Sequence, residues 1–322
     1  MTATSAAPAR MRAVIQETAG GPEVLKLVET DRPAPGPTEI LVRVHAAGVN
    51  PTDWKTRERG SFYTGDTVPF TLGFDVSGVV EAIGDGVTLY APGDEVYGMP
   101  RFPHPAGAYA EYVTAPARHF APKPRGLDHV QAAALPLAAL TAWQALVDTA
   151  GVREGQRVLI HAAAGGVGHL AVQIAKARGA YVIGTASAAK HDFLRGLGAD
   201  ELIDYREQDF AEVVRDVDTV LEAISGDYPA RSLRTLRPGG TLVSLLALTD
   251  EVRAEARERG IRATRMVVEP DLGGLKALTE LVETGRLRTE IAAALPLADV
   301  AKAHRLGETD RTSGKIVLTV EG

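Results

Sequence analysis

The chain has 322 residues, 45% of them apolar, which is long enough for two domains with separate cores, and no apolar run reaches the ~18 residues of a membrane-spanning helix. Its net charge of −6, with acids and bases mixed throughout, offers neither a basic stripe for nucleic acid nor a polybasic membrane anchor, so small molecules are the expected partners. The absence of cysteine excludes disulfides, thiolate catalysis, iron–sulfur clusters and cysteine-based zinc sites, and a cytoplasmic location is expected.

Residues 1–10 are rich in Ala, Ser, Thr and Pro, lack a basic start followed by an apolar core, and read as a tail rather than a signal peptide. From Met11 to about Arg125, short alternating strands such as Ile40–His45 and Val76–Gly84 are punctuated by Gly and Pro, which predicts a β-rich domain over 1–125. Beyond Asp128 helix and strand alternate, beginning with an Ala-rich helix from His129. Strands are expected at Arg157–His161, Ala180–Gly184, Glu201–Ile203, Val217–Glu222, Gly240–Leu245 and Arg262–Val268. Six strands separated by helices predict an α/β doubly wound parallel sheet over 126–268. Residues 269–322 return to the first domain through a last strand at Gly314–Val320.

The most informative run is Val158–Gly168, a short apolar strand leading into a glycine-rich turn. Its spacing, Ala162-x-x-Gly165-x-x-Gly168, departs from the three-glycine dinucleotide fingerprint, so the surroundings must carry the reading. They do: Leu170, Ile174 and Ala177 fall on one helical face, Gly179 suits a C-cap, and a second buried strand follows. Backbone amides of Ala164, Gly165, Gly166, Val167 and Gly168 are therefore expected to hold a pyrophosphate; the alternative is a turn that only packs helix on strand.

An NAD site places an acid at the end of the second strand to bind the ribose 2′-hydroxyl. Here Gly184–Lys190 contains no acid, and the first to follow is Asp192. The Ser187 hydroxyl and the Lys190 cation suit a 2′-phosphate instead, which selects NADPH. Alternatively, Ser187 caps the next helix and Lys190 is a solvated charge. Tyr205, followed by Arg206, offers a ring and a cation to the adenosine side, or else belongs to an ordinary exposed loop.

Through Ala46–Asp53, Gly73–Gly78, Ala162–Gly168, Leu197–Asp200 with Ile203–Tyr205, and Gly314–Leu318, the chain resembles the medium-chain dehydrogenase/reductase superfamily. Within it the likeness is to the zinc-free quinone oxidoreductases related to ζ-crystallin. The resemblance implies a GroES-like β-rich catalytic domain built from both chain ends, plus a Rossmann domain. It also implies a homodimer or homotetramer joined through the last Rossmann strand, here Thr264–Val268. Where zinc-dependent relatives carry metal ligands this chain has Asn50, Phe74 and Leu137, so no metal is expected.

Hydride must then go to an acceptor that is already electrophilic, a quinone or related conjugated carbonyl. The resemblance puts Asn50 near the nicotinamide and acceptor as a hydrogen-bond donor, against the alternative of a turn former. Asp53 relays a proton or fixes a loop, and Tyr63 is a proton donor, a stacking ring or a surface aromatic. Thr141 is implied near the nicotinamide ribose or diphosphate, or makes a helix back-bond. Ser244, Leu245 and Leu246 pass the nicotinamide ring, or merely end a buried strand. Lys315 is left without a role. The expected activity is NADPH-dependent quinone or conjugated-carbonyl reduction, with enoyl or enone double-bond reduction, including natural-product tailoring, as its neighbour. An NADPH-binding crystallin-like or RNA-binding protein is a different class, and the acidic balance argues against RNA.

Overall fold

The structure, a computed structural model, describes residues 9–60 and 68–320, which leaves Tyr63 outside the described residues. They divide into two compact units. One gathers the described residues of Met1–Leu137, Glu269–Thr279 and Ile291–Gly322; the other comprises Ala138–Val268 and Glu280–Glu290.

The first unit is organised around the strand Glu39–Val49. Its Ile40, Leu41, Val42 and Val44 are all buried, with Arg43 and His45 partly exposed between and beyond them, and β-branched residues suit such a covered strand. Val76–Ile83, Tyr112–Pro116 and Lys315–Thr319 each pair with it antiparallel. The sheet runs outward through Glu95–Gly98 to Phe120–Pro122 on one side and through Lys315–Thr319 to Ile291–Pro296 on the other. Register shifts between Leu41 and Val42 and between Val44 and Ala46 re-aim side chains before the strand ends. The helix Pro51–Arg59 starts at once because Pro51 supplies a fixed φ without needing a hydrogen-bond acceptor, while Asp53 Oδ2 accepts from the Asn50 N–H at 2.7 Å. The helix stops at Gly60, whose φ of +82° favours glycine.

The second unit carries six parallel strands, Arg157–Ile160, Tyr181–Thr185, Glu201–Ile203, Val217–Glu222, Leu236–Ser244 and Arg262–Arg265. Numbered along the chain, their order across the sheet is third, second, first, fourth, fifth, sixth. Helices on both faces bury the central strands completely, which is why Val158, Leu159 and Ile160 form an unbroken apolar run. The order reverses between the first and fourth strands, and in such sheets ligands bind beyond the carboxyl ends at that point. Two strand boundaries differ from expectation by more than one residue. The fifth strand begins at Leu236, because Val217 pairs with Leu236 before a register shift brings Thr219 opposite Thr241. The sixth stops at Arg265, since Met266 N already bonds Ser244 O, where the neighbouring strand itself ends. The helix Gly168–Ala177 is also not simply amphipathic, because His169 through Ala175 are all buried.

Candidate active site and cofactor cradle

In the second unit the turn after Arg157–Ile160 has Ala162 at φ +48°, a left-handed backbone that costs an L-residue about 1 kcal/mol. Counted back from Gly165 and Gly168, the first glycine of the fingerprint falls at Ala163, one residue after this left-handed position. Gly165 N closes the turn on Ala162 O at 2.9 Å, and Ala163 N ties it to Thr185 O at 3.0 Å. Gly168 is required by packing: a Cβ there would lie 2.3 Å from Ala162 O and 2.7 Å from Ala163 Cα. Gly165, Gly166 and Val167 are half-buried, and the amides of Gly166 and Val167 donate to no backbone carbonyl. A turn that lacks Cβ atoms at Gly165 and Gly166 and carries such amides at the start of a ten-residue helix fits a pyrophosphate.

At the end of the second strand, Ser187 is buried and its side chain makes no cap bond to the short turn Ala188–Lys190, so the capping alternative fails. Partial burial, and to a lesser degree the charge of Arg206, lower the Lys190 pKa. Sequence reasoning missed Asp204. Its carboxylate accepts from Arg206 N at 3.0 Å and Ala188 N at 2.9 Å, bonds that hold its pKa below the usual range. The acid therefore cross-links the two loops that carry Lys190 and Arg206. Tyr205 is exposed, with the Arg206 guanidinium 5.7 Å from its ring centre.

Thr141 is buried in the helix Pro136–Trp143. Ser244 Oγ donates to Leu246 O at 2.9 Å and accepts from Leu246 N at 3.2 Å, while Leu245 N bonds Glu222 O. The Ser244 hydroxyl is thus used to shape its own loop. Beneath the turn lies a buried polar chain that no local pattern announced. His161 Nδ1 meets Thr185 Oγ1 at 3.1 Å, His161 Nε2 meets Ser232 Oγ at 3.0 Å, and Ser232 Oγ donates to Glu222 Oε2 at 2.7 Å. Burial lowers the His161 pKa to about 3 and raises that of Glu222 to about 7. A neutral imidazole joined to a carboxylate through a hydroxyl stabilises the strand ends under the cradle without an isolated buried charge.

In the first unit Asn50 is 1% exposed and its carboxamide is engaged at both ends. Nδ2 donates to Asp75 Oδ2 at 2.8 Å, and Oδ1 accepts from Lys315 Nζ. Lys315 Nζ also donates to Val49 O at 3.0 Å and lies 3.6 Å from Asp75 Oδ2, while Leu137 N donates to Asp75 Oδ1 at 2.7 Å. Desolvation pushes the Asp75 pKa up and the Lys315 pKa down. Asp53, fully buried, is raised to about 7 by desolvation, against the bond from Asn50 N. Its Oδ1 faces the Tyr109 hydroxyl without a hydrogen bond of ordinary geometry, yet close enough for each group to shift the other's pKa. So Asn50 and Asp53, three residues apart in sequence, share a cluster with Asp75 and Lys315, and Asn50 is at once helix N-cap and network member. Phe74 packs edge-on against Phe102 at 5.1 Å. Of the three positions matching metal ligands in zinc relatives, one is an amide clamp, one an aromatic contact and one, Leu137, a backbone donor to Asp75.

Two family descriptions match, the alcohol dehydrogenase GroES-like domain over residues 36–125 and the zinc-binding dehydrogenase over 197–318. Human quinone oxidoreductase is 32% identical over 324 residues, covering 96% of this chain and 97% of that protein. A 2-haloacrylate reductase from Burkholderia sp is 36% identical over 336 residues, covering 96% and 98%. The quinone oxidoreductase structure from Coxiella burnetii is 40% identical with a TM-score of 0.92, covering 97% of this chain and 100% of that one. With its GroES-like and Rossmann domains and no metal-ligating side chain at Asn50, Phe74 or Leu137, the chain belongs to the zinc-free quinone oxidoreductases of the medium-chain dehydrogenase/reductase superfamily.

Proposed function

We propose that the protein uses NADPH to reduce a quinone or a related conjugated carbonyl. The observation that carries the cofactor choice is that no acid ends the second strand, while Asp204, bonded to Ala188 N and Arg206 N, ties together the loops that carry Lys190 and Arg206 beside the buried Ser187. Both cations attract a 2′-phosphate, and the Asp204 oxygens are already engaged by backbone N–H groups. The turn amides of Ala164–Gly168 take the pyrophosphate, and Thr141 with the Ser244–Leu246 loop completes the nicotinamide side. When bound, NADPH supplies hydride.

The chain's own residues handle charge and protons. Asn50 carries two amide hydrogens; one goes to Asp75 and the second serves an acceptor oxygen that gains negative charge. Asp53, with a proton affinity near neutrality, is the proton reservoir next to it. Reduction of a carbon–carbon double bond is the second reading, favoured by the likeness to 2-haloacrylate reductase.

The test is steady-state oxidation of NADPH and of NADH with 1,4-naphthoquinone, 2-chloroacrylate and crotonyl-CoA. Turnover of the quinone with a preference for NADPH supports the proposal. Turnover confined to the acrylate or thioester transfers it to the second reading, and no turnover with any of the three sinks both.

A further inference from the structure

We infer that Lys315 and Asp75 are positioning residues that lock the Asn50 carboxamide in one of its two flip states, with its NH₂ toward Asp75 and its oxygen toward Lys315. The inference rests on the donor role proposed for Asn50. An ammonium has three donors and no acceptor, while an ionised carboxylate only accepts, so each can bind just one end of an amide. Lys315 Nζ donates to Asn50 Oδ1, and Asn50 Nδ2 donates to Asp75 Oδ2 at 2.8 Å. A half-turn of the carboxamide would set oxygen against carboxylate and N–H against ammonium, with all three side chains at most 3% exposed and little water to screen the repulsion.

Each partner is itself fixed. Lys315 is held at 3.0 Å by Val49 O, and it arrives on a strand whose Ile316 lies opposite Val49, so sheet register rather than a loop sets its reach. Asp75 is held by Leu137 N at 2.7 Å, and it comes this close only because Gly48 has no side chain; a Cβ there would lie 2.8 Å from Asp75 Oδ2. The flip state matters because the second N–H stabilises an oxygen gaining negative charge, whereas a flipped Asn50 turns a carbonyl lone pair to the same place and repels it.

The first arm of the test needs no cofactor. Hydrogen exchange of the Asn50 side-chain amide, followed by NMR, is slow in the wild type and in K315R, which keeps a donor-only group. It accelerates at least about tenfold in K315M, and also in D75N, whose amide binds either end. The second arm is NADPH-dependent quinone reduction. There K315M and D75N lower kcat on the order of 100-fold with NADPH affinity within about twofold, and in an N50L background neither lowers kcat further. Unchanged amide exchange in both K315M and D75N overturns the lock. An equal loss in the N50L background overturns action through Asn50 and assigns Lys315 a purely structural role. Should the wild type reduce no acceptor, the proposed function fails while the exchange arm still decides whether the lock exists.

Discussion

Replacing Gly168 or Gly165 with alanine separates the two tasks of the glycine turn. At Gly168 the new methyl would stand 2.3 Å from Ala162 O and 2.7 Å from Ala163 Cα and O, all backbone atoms that no side-chain rotation can move. Either the helix Gly168–Ala177 or the turn must shift by about 1 Å to restore ordinary contact, and overpacking of that kind costs roughly 1–3 kcal/mol. At Gly165 the nearest atom is Ala162 O at 3.2 Å, so a few tenths of an ångström suffice and stability should change by less than about 0.5 kcal/mol. Yet that methyl sits on the half-buried surface where a pyrophosphate would approach. Urea unfolding of the cofactor-free variants, paired with NADPH titration by fluorescence, reads both effects. G168A should lower the unfolding midpoint; G165A should keep the midpoint and weaken NADPH about tenfold or more, as expected when charge-assisted bonds to the phosphate are lost. A G168A midpoint equal to wild type refutes the close helix–turn approach, and undiminished NADPH affinity in G165A refutes the cradle.

Ala162→Gly should raise stability by about 0.5–1 kcal/mol, since glycine adopts φ +48° without steric cost; a lower urea midpoint contradicts this. Lys190→Ala and Arg206→Ala should each weaken NADPH about tenfold or more while leaving NADH within about twofold, as measured by titration; equal effects on both cofactors reject the 2′-phosphate assignment. Stability should decline with pH on both sides of a plateau. Asp53 and Glu222, raised to about 7 from 3.8 and 4.5, contribute fully below those unfolded values and lose the contribution as pH rises through 7. His161 and His304, lowered from 6.5 to about 3, contribute above 6.5 and lose it as pH falls toward 3. Between about pH 4.5 and 6.5 the two trends cancel, each group changing stability by about 1.4 kcal/mol per pH unit. In Asp53→Asn the alkaline decline should be shallower, and a profile above pH 6.5 identical to wild type would show that Asp53 is not the buried proton holder.

The parallel sheet was legible because its signals are local: an apolar run, a glycine turn and a helix within about thirty residues announce the first βαβ unit, and alternating strand and helix patterns announce the rest. What escaped was brought together by the sheet. Asp204 reaches Ala188 only because the second and third strands lie side by side, and His161, Ser232 and Glu222 come from three separate elements. The helix Gly168–Ala177 looked amphipathic because residue types show one apolar stripe and not how many sides are covered; His169 and Gln173 are buried with their polar atoms bonded to Gly165 O, His169 O and Arg288 O. At Asn50 the sequence offered turn former or donor as alternatives. The structure shows the residue starting its helix and joining Asp75 and Lys315, and no scan of neighbouring positions connects residue 50 to residue 315.

The strand Lys315–Thr319 has a consequence for how the chain acquires its shape during synthesis. Its partner Glu39–Val49 emerges from the ribosome some 270 residues earlier. Until then, the end of that strand from Ala46 to Val49 offers unpaired N–H and C=O groups to any passing β-segment. The six-stranded sheet spans only residues 157–265 and can close beforehand. A nascent chain therefore passes through a stage with a finished nucleotide-binding sheet and an open partner unit, and the residue that ends this stage, Lys315, also brings the cation to Asn50. Release before residue 315 would leave the six-stranded sheet intact, the Asn50 carboxamide without its Lys315 hydrogen bond, and an exposed strand end for chaperones to guard.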